Sequence, residues 1–409
     1  MAKFIVVVLD GFGVGAMEDV AHVRPQDCGA NTAAKLLRHF PLKHLPTLAL
    51  LGLQNLVVSQ ESAMKANLLA NVGKANLAHQ GGDTFMGHQE IMGTCPKPPV
   101  IEPFQHVLGD VEKALTKQGY RVSKISRQGL DVLAVNDGVV IGDNLEADLG
   151  QVYNLTCNFN QVSYQELMKI ADVVRGVTKV SRNIAFGGEI DSMERVYSAI
   201  EVKSDRSGNP AFIGVNAPNS GAYDCGFRVM HLGFGVDAST QVPWLLHQKG
   251  IGTWLYGKVA DIVQNPKGCS YTSIVDTDEI FNLLCHDVSV EQDGFFCANV
   301  QETDLAGHQQ DPKRYWQILE KADNGLERLI AQLGEEDVLL VMADHGNDPF
   351  IGHTKHTREQ VPLLAYKKGH VGLDLGVSET LADVGATVAF FFGATAPEFG
   401  KPISALIES

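Results

Sequence analysis

Short apolar runs that stop abruptly at acidic, glycine and histidine residues recur along this chain. Phe4 to Leu9 is continuous, Phe-Ile-Val-Val-Val-Leu. That is the pattern of a strand buried on both faces, since a half-buried strand would show a polar residue at every second position. The run ends on Asp10-Gly11-Phe12-Gly13, where glycines let the backbone turn and Asp10 is left at the strand end. Thr253 to Tyr256 stops in the same way at Gly257-Lys258. Phe295 to Val300 stops before Asp304, with His308 four residues further on. Val338 to Met342 stops before Asp344-His345-Gly346-Asn347-Asp348, and His353 and His356 follow. These runs are too short for ordinary helices and are rich in β-branched or aromatic residues, so they predict strands. A helix is predicted from about Pro312 to Leu333, with Trp316, Leu319, Leu326 and Leu329 on one face.

Residues from about 97 to 228 break this rhythm. The Cys95–Pro103 stretch, CPKPPVIEP, is a breaker and marks a hinge. Beyond it, Asp110 to Gln118 and Tyr164 to Arg175 read as helices, and Gly138 to Ile141 and Ala211 to Val215 as strands. The expected organisation is an α/β core from residues 1–96 and 229–409, interrupted by a smaller α+β insertion at 97–228. A chain of 409 residues is too long for one ordinary core, which agrees with that division.

Composition narrows the function. A formal net charge of −15 argues against a nucleic-acid partner, because phosphate neutralisation needs a basic stripe. No apolar stretch reaches the length of a membrane span, and the N-terminal run is too short for a secretion signal. Seven scattered cysteines with no C-x-x-C pair fit reduced thiols in a cytoplasm. Against this background the strand ends stand out. Asp10, Asp304 with His308, and Asp344 with His345, joined by His356, make three carboxylates and three imidazoles. A mixed oxygen and nitrogen set of that size suits two divalent metals such as zinc or manganese. Each residue alone has a plainer reading: Asp10 as a turn residue, Asp304 as a helix cap, the histidines as solvent-facing side chains of a polar loop.

A nucleophile candidate lies in His79-Gln80-Gly81-Gly82-Asp83-Thr84. The glycines permit close backbone approach, and a metal or base can activate the Thr84 hydroxyl. The plainer reading makes Thr84 the N-cap of the following turn, and both roles are compatible. This is no Walker A loop, since no Gly-Lys-Ser/Thr follows. Lys258 is the one cation at these strand ends, and a lysine there can hold a phosphate as a point charge.

Four motifs together resemble the phosphopentomutase family, within the alkaline-phosphatase-like metalloenzymes: VVLDGFGVG from Val7, GGDTFMGHQEIMG from Gly81, TDLAGH from Thr303 and ADHGNDPFIGHTKHTREQVPLL from Ala343. YGKVADI, holding Lys258, is similar to the family's substrate-side lysine motif. The resemblance covers roughly residues 1–95 and 230–409. It implies an alkaline phosphatase-like α/β core with a largely parallel sheet and an inserted α+β cap that closes over substrate. It implies one metal on Asp10, Asp344 and His345 and another on Asp304, His308 and His356, generally manganese, with magnesium or zinc as alternatives. Thr84 would carry a phosphoryl group, give it to a sugar monophosphate and take the other phosphoryl back from the bisphosphate. A bisphosphate activator and a small phosphorylated substrate follow from the same likeness.

The chain departs from the family pattern at four places. Gln89 stands where a tryptophan is common. The segment Pro218-Asn219-Ser220-Gly221-Ala222-Tyr223-Asp224 lacks the arginine of the family's P-N-R-H-D-Y-like stretch. Leu155-Thr156-Cys157-Asn158 lacks an acid found in the corresponding stretch. Arg182, Arg195, Arg206 and Arg228 are the candidate replacements, and the cap is shortened. The expectation is therefore a divergent phosphomutase with an altered substrate grip, for which ribose 1-phosphate and ribose 5-phosphate are poor substrates. A phosphatase or phosphodiesterase of the same superfamily is the nearest rival, and a metal-binding module without catalysis is the more distant one.

Overall fold

In the computed structural model the described residues are 2–57, 63–146, 149–205 and 207–407. The chain divides into two compact units, Met1–Pro96 with Asp237–Ser409, and Lys97–Val236. Among the described residues no helix is long and apolar enough to cross a membrane.

The first unit is built on an eight-stranded sheet. From edge to edge its strands are Cys269–Tyr271, Thr253–Tyr256, Gly294–Val300, Lys3–Leu9, Val338–Met342, Val361–Lys367, Asn71–Ala75 and Asp374–Ser378. The first five run parallel. Val361–Lys367 runs antiparallel to both neighbours, and Asp374–Ser378 returns parallel to Asn71–Ala75. Every residue of Gly294–Val300 and Val338–Met342 is buried; the second run is apolar throughout and the first is broken only by Asn299. Register fixes the functional end of the sheet. Val8 lies between Asn299 and Met342, so the three central strands end nearly level. Two residues further on, Asp10 comes beside Asp344.

Helix Pro312–Ile330 packs on helix Thr277–Val290, which covers strand Gly294–Val300. The helix ends three residues before the expected Leu333. Gln332 N–H reaches Leu329 O and Leu333 N–H reaches Ile330 O, the tightened bonds of a closing turn.

The second unit carries a six-stranded sheet ordered Arg228–Gly233, Arg182–Gly188, Val152–Asn158, Val139–Asp143, Leu130–Val135 and Val122–Arg127. A separate hairpin joins Ile200–Ser204 to Pro210–Val215. Phe104, Leu115, Leu155, Leu167 and Val174 belong to one apolar cluster, and Phe186, Val196 and Ile213 to another. This unit runs eight residues past the expected boundary at 228, to Val236. The cause is strand Arg228–Gly233, which pairs antiparallel with Arg182–Gly188. Its first helix, Phe104–Lys117, begins six residues before the expected Asp110. Phe104, Leu108, Val111 and Leu115 form the buried stripe that carries it back to Pro103.

Candidate metal centre

The level strand ends bring two groups of side chains together. Asp10, Asp344 and His345 offer ligand atoms that all lie within 4.8 Å of one another, and so do Asp304, His308 and His356. Asp304 and His308 share the short helix Glu302–His308, one turn apart. The rings of His345 and His356 stack with centroids 3.9 Å apart, so the groups are neighbours. His353 and Asp348, from the same sequence stretch, stay outside both. His353 Nε2 lies 3.1 Å from Asp27 Oδ1, and Asp348 is paired with Lys35 at 2.6 Å.

Supporting contacts hold each ligand candidate. Asp10 Oδ2 accepts from Asn299 Nδ2 and Lys258 Nζ, both at 2.8 Å. Asp344 Oδ1 accepts from Gly11 N–H at 3.2 Å, and Asp304 Oδ1 from Asn347 Nδ2 at 2.8 Å. Lys258 also reaches Asp304 Oδ2 at 3.3 Å, so one ammonium touches a carboxylate of each group. Asn299 and Asn347 were not singled out in the sequence, because an asparagine at a strand end reads as turn chemistry.

The hydrogen-bond pattern tests whether cations fit here. His308 Nδ1 lies 2.6 Å from Thr354 O, and His356 Nδ1 lies 2.6 Å from Gly82 O. A carbonyl can only accept, so each Nδ1 carries the proton in the neutral ring, and each Nε2 presents a lone pair. Those two Nε2 atoms face each other at 3.0 Å. His345 repeats the arrangement, with Nδ1 on Gly346 O at 2.9 Å. Its Nε2 and Asp10 Oδ1, 3.4 Å apart, are both buried without a hydrogen-bond partner. Acceptor atoms buried against acceptor atoms are costly. Divalent metal binding fits this acceptor chemistry, and backbone carbonyls orienting the imidazoles are the usual support of such ligands.

Charge balance points the same way. Burial, with the Asp344 carboxylate beside it, pushes Asp10 up to about 7 against the pull of Lys258. Burial also acts upward on Asp344, but His345 and His88 hold it below the usual carboxylate range. Burial pushes His345 down to about 3. Asp304 is buried too, yet the His308 and His356 imidazoles and the Lys258 ammonium beside it hold it well below its ordinary value. Lys258 is raised despite burial, by Asp10 and then Asp304. Positive charge is what this cluster of carboxylates favours.

Thr84 opens helix Thr84–Ile91, but it is not the cap. Asp83 Oδ1 accepts from Met86 N–H at 2.8 Å and takes that role. The Thr84 hydroxyl is instead free to donate to Asp344 Oδ2 at 2.7 Å. Gly87 permits this approach: a Cβ there would lie 2.8 Å from Asp344 O. Gly82 does the same beside His356, whose Cβ would be 3.3 Å away.

Three residues that the sequence did not mark hold the Thr84 loop. Arg358 binds Asp19 through Nε and Nη2, at 2.9 and 2.8 Å. It also donates to the carbonyls of Leu77, His79 and Gly81 at 3.1, 2.7 and 2.9 Å. Glu90 accepts from His79 Nδ1 at 2.7 Å, and His79 Nε2 accepts from Asp83 N–H at 3.2 Å. The available signal was position: Arg358 stands two residues after His356, and Glu90 lies in the Gly81 motif.

The segments expected to grip substrate are placed differently from their sequence reading. Residues 155–158 lie in strand Val152–Asn158 and are fully buried. The Pro218–Asp224 segment does have an arginine beside it, since Arg195 Nη1 pairs with Asp224 Oδ2 at 2.7 Å. The Arg228 guanidinium lies 3.6 Å from the centre of the Tyr164 ring, Arg182 lies in strand Arg182–Gly188, and Arg206 falls outside the described residues.

A family model described as the metalloenzyme superfamily matches residues 2–396. A phosphopentomutase of Symbiobacterium thermophilum is 29% identical over 408 residues, covering 98% of this chain and 97% of that protein. A phosphopentomutase of Desulfitobacterium hafniense is also 29% identical, covering 96% of each. Among solved structures, Leishmania mexicana phosphoglycerate mutase at low cobalt concentration aligns with a TM-score of 0.50 at 13% identity. It covers 98% of this chain and 97% of its own, a likeness of fold.

Proposed function

The chain belongs to the metalloenzyme superfamily, and from that premise we propose a metal-dependent phosphomutase that moves a phosphoryl group within a small sugar phosphate through phosphorylated Thr84. The observation that carries this reading is the 2.7 Å hydrogen bond from the Thr84 hydroxyl to Asp344 Oδ2, a carboxylate of one ligand group. The near-full-length likeness to proteins named phosphopentomutase supports the reaction class.

In this proposal Asp10, Asp344 and His345 hold one divalent cation and Asp304, His308 and His356 the other, with manganese the favoured ion. When bound, such ions neutralise the charge on transferring phosphoryl oxygens and ease loss of the hydroxyl proton. The chain's own residues do the rest. Asp344 Oδ2 fixes the direction of the Thr84 hydroxyl. Lys258 holds a substrate phosphate oxygen as a point charge. Arg358 and the Glu90–His79 pair keep residues 77–83 in place, so Thr84 meets the substrate without reorganisation. In the forward step phosphorylated Thr84 gives its phosphoryl to a free sugar hydroxyl: the bond from phosphorus to Thr84 Oγ1 breaks as the new one forms, and the proton lost by the sugar hydroxyl ends on Thr84 Oγ1. The bisphosphate then returns its other phosphoryl to Thr84, and a bisphosphate activator can prime the first turnover.

The test is intact-protein mass after exposure to glucose 1,6-bisphosphate with manganese, followed by product analysis on ribose 1-phosphate and ribose 5-phosphate. A phosphorylated wild type, an unphosphorylated Thr84→Val variant and slow interconversion of the two esters, as poor substrates, are expected. Equal phosphorylation of Thr84→Val would overturn the role of Thr84, and inorganic phosphate as the main product would make the protein a hydrolase.

A further inference from the structure

The Lys97–Val236 unit has its own cleft, of about 840 Å³, lined by the C-terminal halves of helices Phe104–Lys117 and Tyr164–Arg175 and by residues 176–179 and 233–236. Four cations line it, Lys113, Lys117, Arg175 and Lys179, with two acids, Asp110 and Asp172. That is a local surplus of two positive charges in a chain whose net charge is −15.

The surplus is not neutralised from nearby. Acids elsewhere on the same helices are engaged outside the cleft: Glu112 pairs with Lys124 at 2.8 Å and Glu166 with Lys169 at 3.0 Å. Among the described residues none of the four lining cations is in an ion pair. Arg175 is the clearest case. Its Nη1 donates to Leu232 O at 3.2 Å and its Nη2 to Thr178 O at 2.7 Å, while Nε is buried without a partner. Burial lowers this guanidinium to about 10, with no carboxylate acting against it. A half-buried cation that meets only carbonyls gains from an anion more than an exposed one does. Its Cζ atom lies 5.5 Å from the centre of the Phe234 ring, so charge and an apolar surface share the cleft.

We propose that this cleft is a second anion site, which takes a phosphorylated small molecule with its phosphate among Lys113, Lys117, Arg175 and Lys179. A phosphate monoester dianion balances the surplus of two, and Phe234, Val177 and Val236 offer apolar surface to the ester's organic part. The volume suits a ligand of that size. The consequence is local ordering. Lys179 O accepts from Val100 N–H at 2.9 Å, and Gly233–Val236 is the last stretch of the unit. A bound anion therefore fastens the segments by which the chain enters and leaves this unit. The proposal is independent of the metal centre.

The test is hydrogen–deuterium exchange of the metal-loaded full chain with AMP as the probe and adenosine as the uncharged control. AMP is expected to slow exchange in residues 104–118, 172–180 and 229–237, and adenosine is not. Lys113→Glu/Lys117→Glu reverses two exposed charges that no ion pair uses, so it should fold and keep basal activity. It should weaken AMP protection about tenfold or more, and added salt should weaken it in the wild type. The proposal fails if these segments are unprotected at millimolar AMP, or if protection is confined to residues around Asp10, Asp304 and Asp344. It also fails if the double variant protects as well as the wild type, or if adenosine reproduces the effect.

Discussion

Asp10 in one unit and Asp143 in the other are both fully buried carboxylic acids pushed up to about 7, yet they are buried to opposite ends. Asp143 spends both oxygens on the backbone, accepting from Phe104 N–H and Ile213 N–H at 2.9 Å each. It ties the start of a helix to a strand of the hairpin. Asp10 leaves Oδ1 without a partner, facing an imidazole nitrogen that also lacks one. The shifted acidity is the same in both and does not separate function from structure. What separates them is spare bonding capacity. A structural acid is saturated by its own chain, whereas a ligand candidate is saturated only by something added.

The largest test of this contrast is Asp10→Asn. In a ligand role the substitution should lower activity by more than about a hundredfold, the scale of losing a key electrostatic contact. Metal analysis should show the content of the Asp10, Asp344 and His345 group reduced. In chelated protein the sign runs the other way. Asp10 has a raised folded pKa, so its ionised form costs stability above its ordinary value of 3.8, increasingly up to about 7. At mildly alkaline pH the chelated variant should therefore melt no lower than the chelated wild type. A variant that lost stability without metal but kept activity with it would reverse the assignment.

Asp143 should give a smaller and purely structural effect. Asparagine cannot serve both backbone donors as an acceptor, so Asp143→Asn should cost about 1–3 kcal/mol in mildly acidic buffer. The wild-type carboxyl binds its proton more tightly folded than unfolded, so wild-type stability falls as pH rises from near 3.8 through about 7. The variant does not titrate there. The difference in melting temperature between the two should thus shrink as pH is raised, and a constant difference would show that burial does not hold Asp143 protonated.

The same contrast explains what the sequence could reveal. Strands buried on both faces are apolar almost throughout, so Phe4–Leu9, Phe295–Val300 (polar only at Asn299) and Val338–Met342 announced themselves, and their in-step ends gathered the acids and histidines. Packing and partner choice were not legible in that way. Whether Asp83 or Thr84 caps helix Thr84–Ile91 is a shift of one residue, and either residue is a good cap. The hold of Arg358 on the carbonyls of residues 77, 79 and 81 spans some 280 positions, and an arginine in a loop gives no sign of it. The stretch 155–158 drew notice for the acid it lacks, and sequence alone gave no sign that all four residues lie buried in strand Val152–Asn158.

Gln89 sharpens the comparison at its smallest scale, because it is a saturated buried polar group within the unit that holds the metal centre. Its Nε2 donates to Ile262 O at 3.0 Å, and its Oε1 accepts from Gln241 Nε2, which also donates to Thr94 Oγ1 at 2.8 Å. Ile262 ends the short helix that Lys258 begins, and Gln89 lies in the helix that Thr84 begins. One amide therefore joins the helices carrying the two non-ligand groups of the proposed chemistry. If saturation marks structure, Gln89→Leu should leave the Ile262 carbonyl without its donor and cost about 1–3 kcal/mol. Gln241→Leu should cost a similar amount, and the double variant should recover part of the loss, because two apolar neighbours strand less polarity than one. Activity should change by less than about tenfold throughout, since no charge or ligand is touched. Strictly additive melting shifts would mean the two amides are not coupled, and a large loss of turnover without loss of stability would move Gln89 from the structural side of the comparison to the functional one.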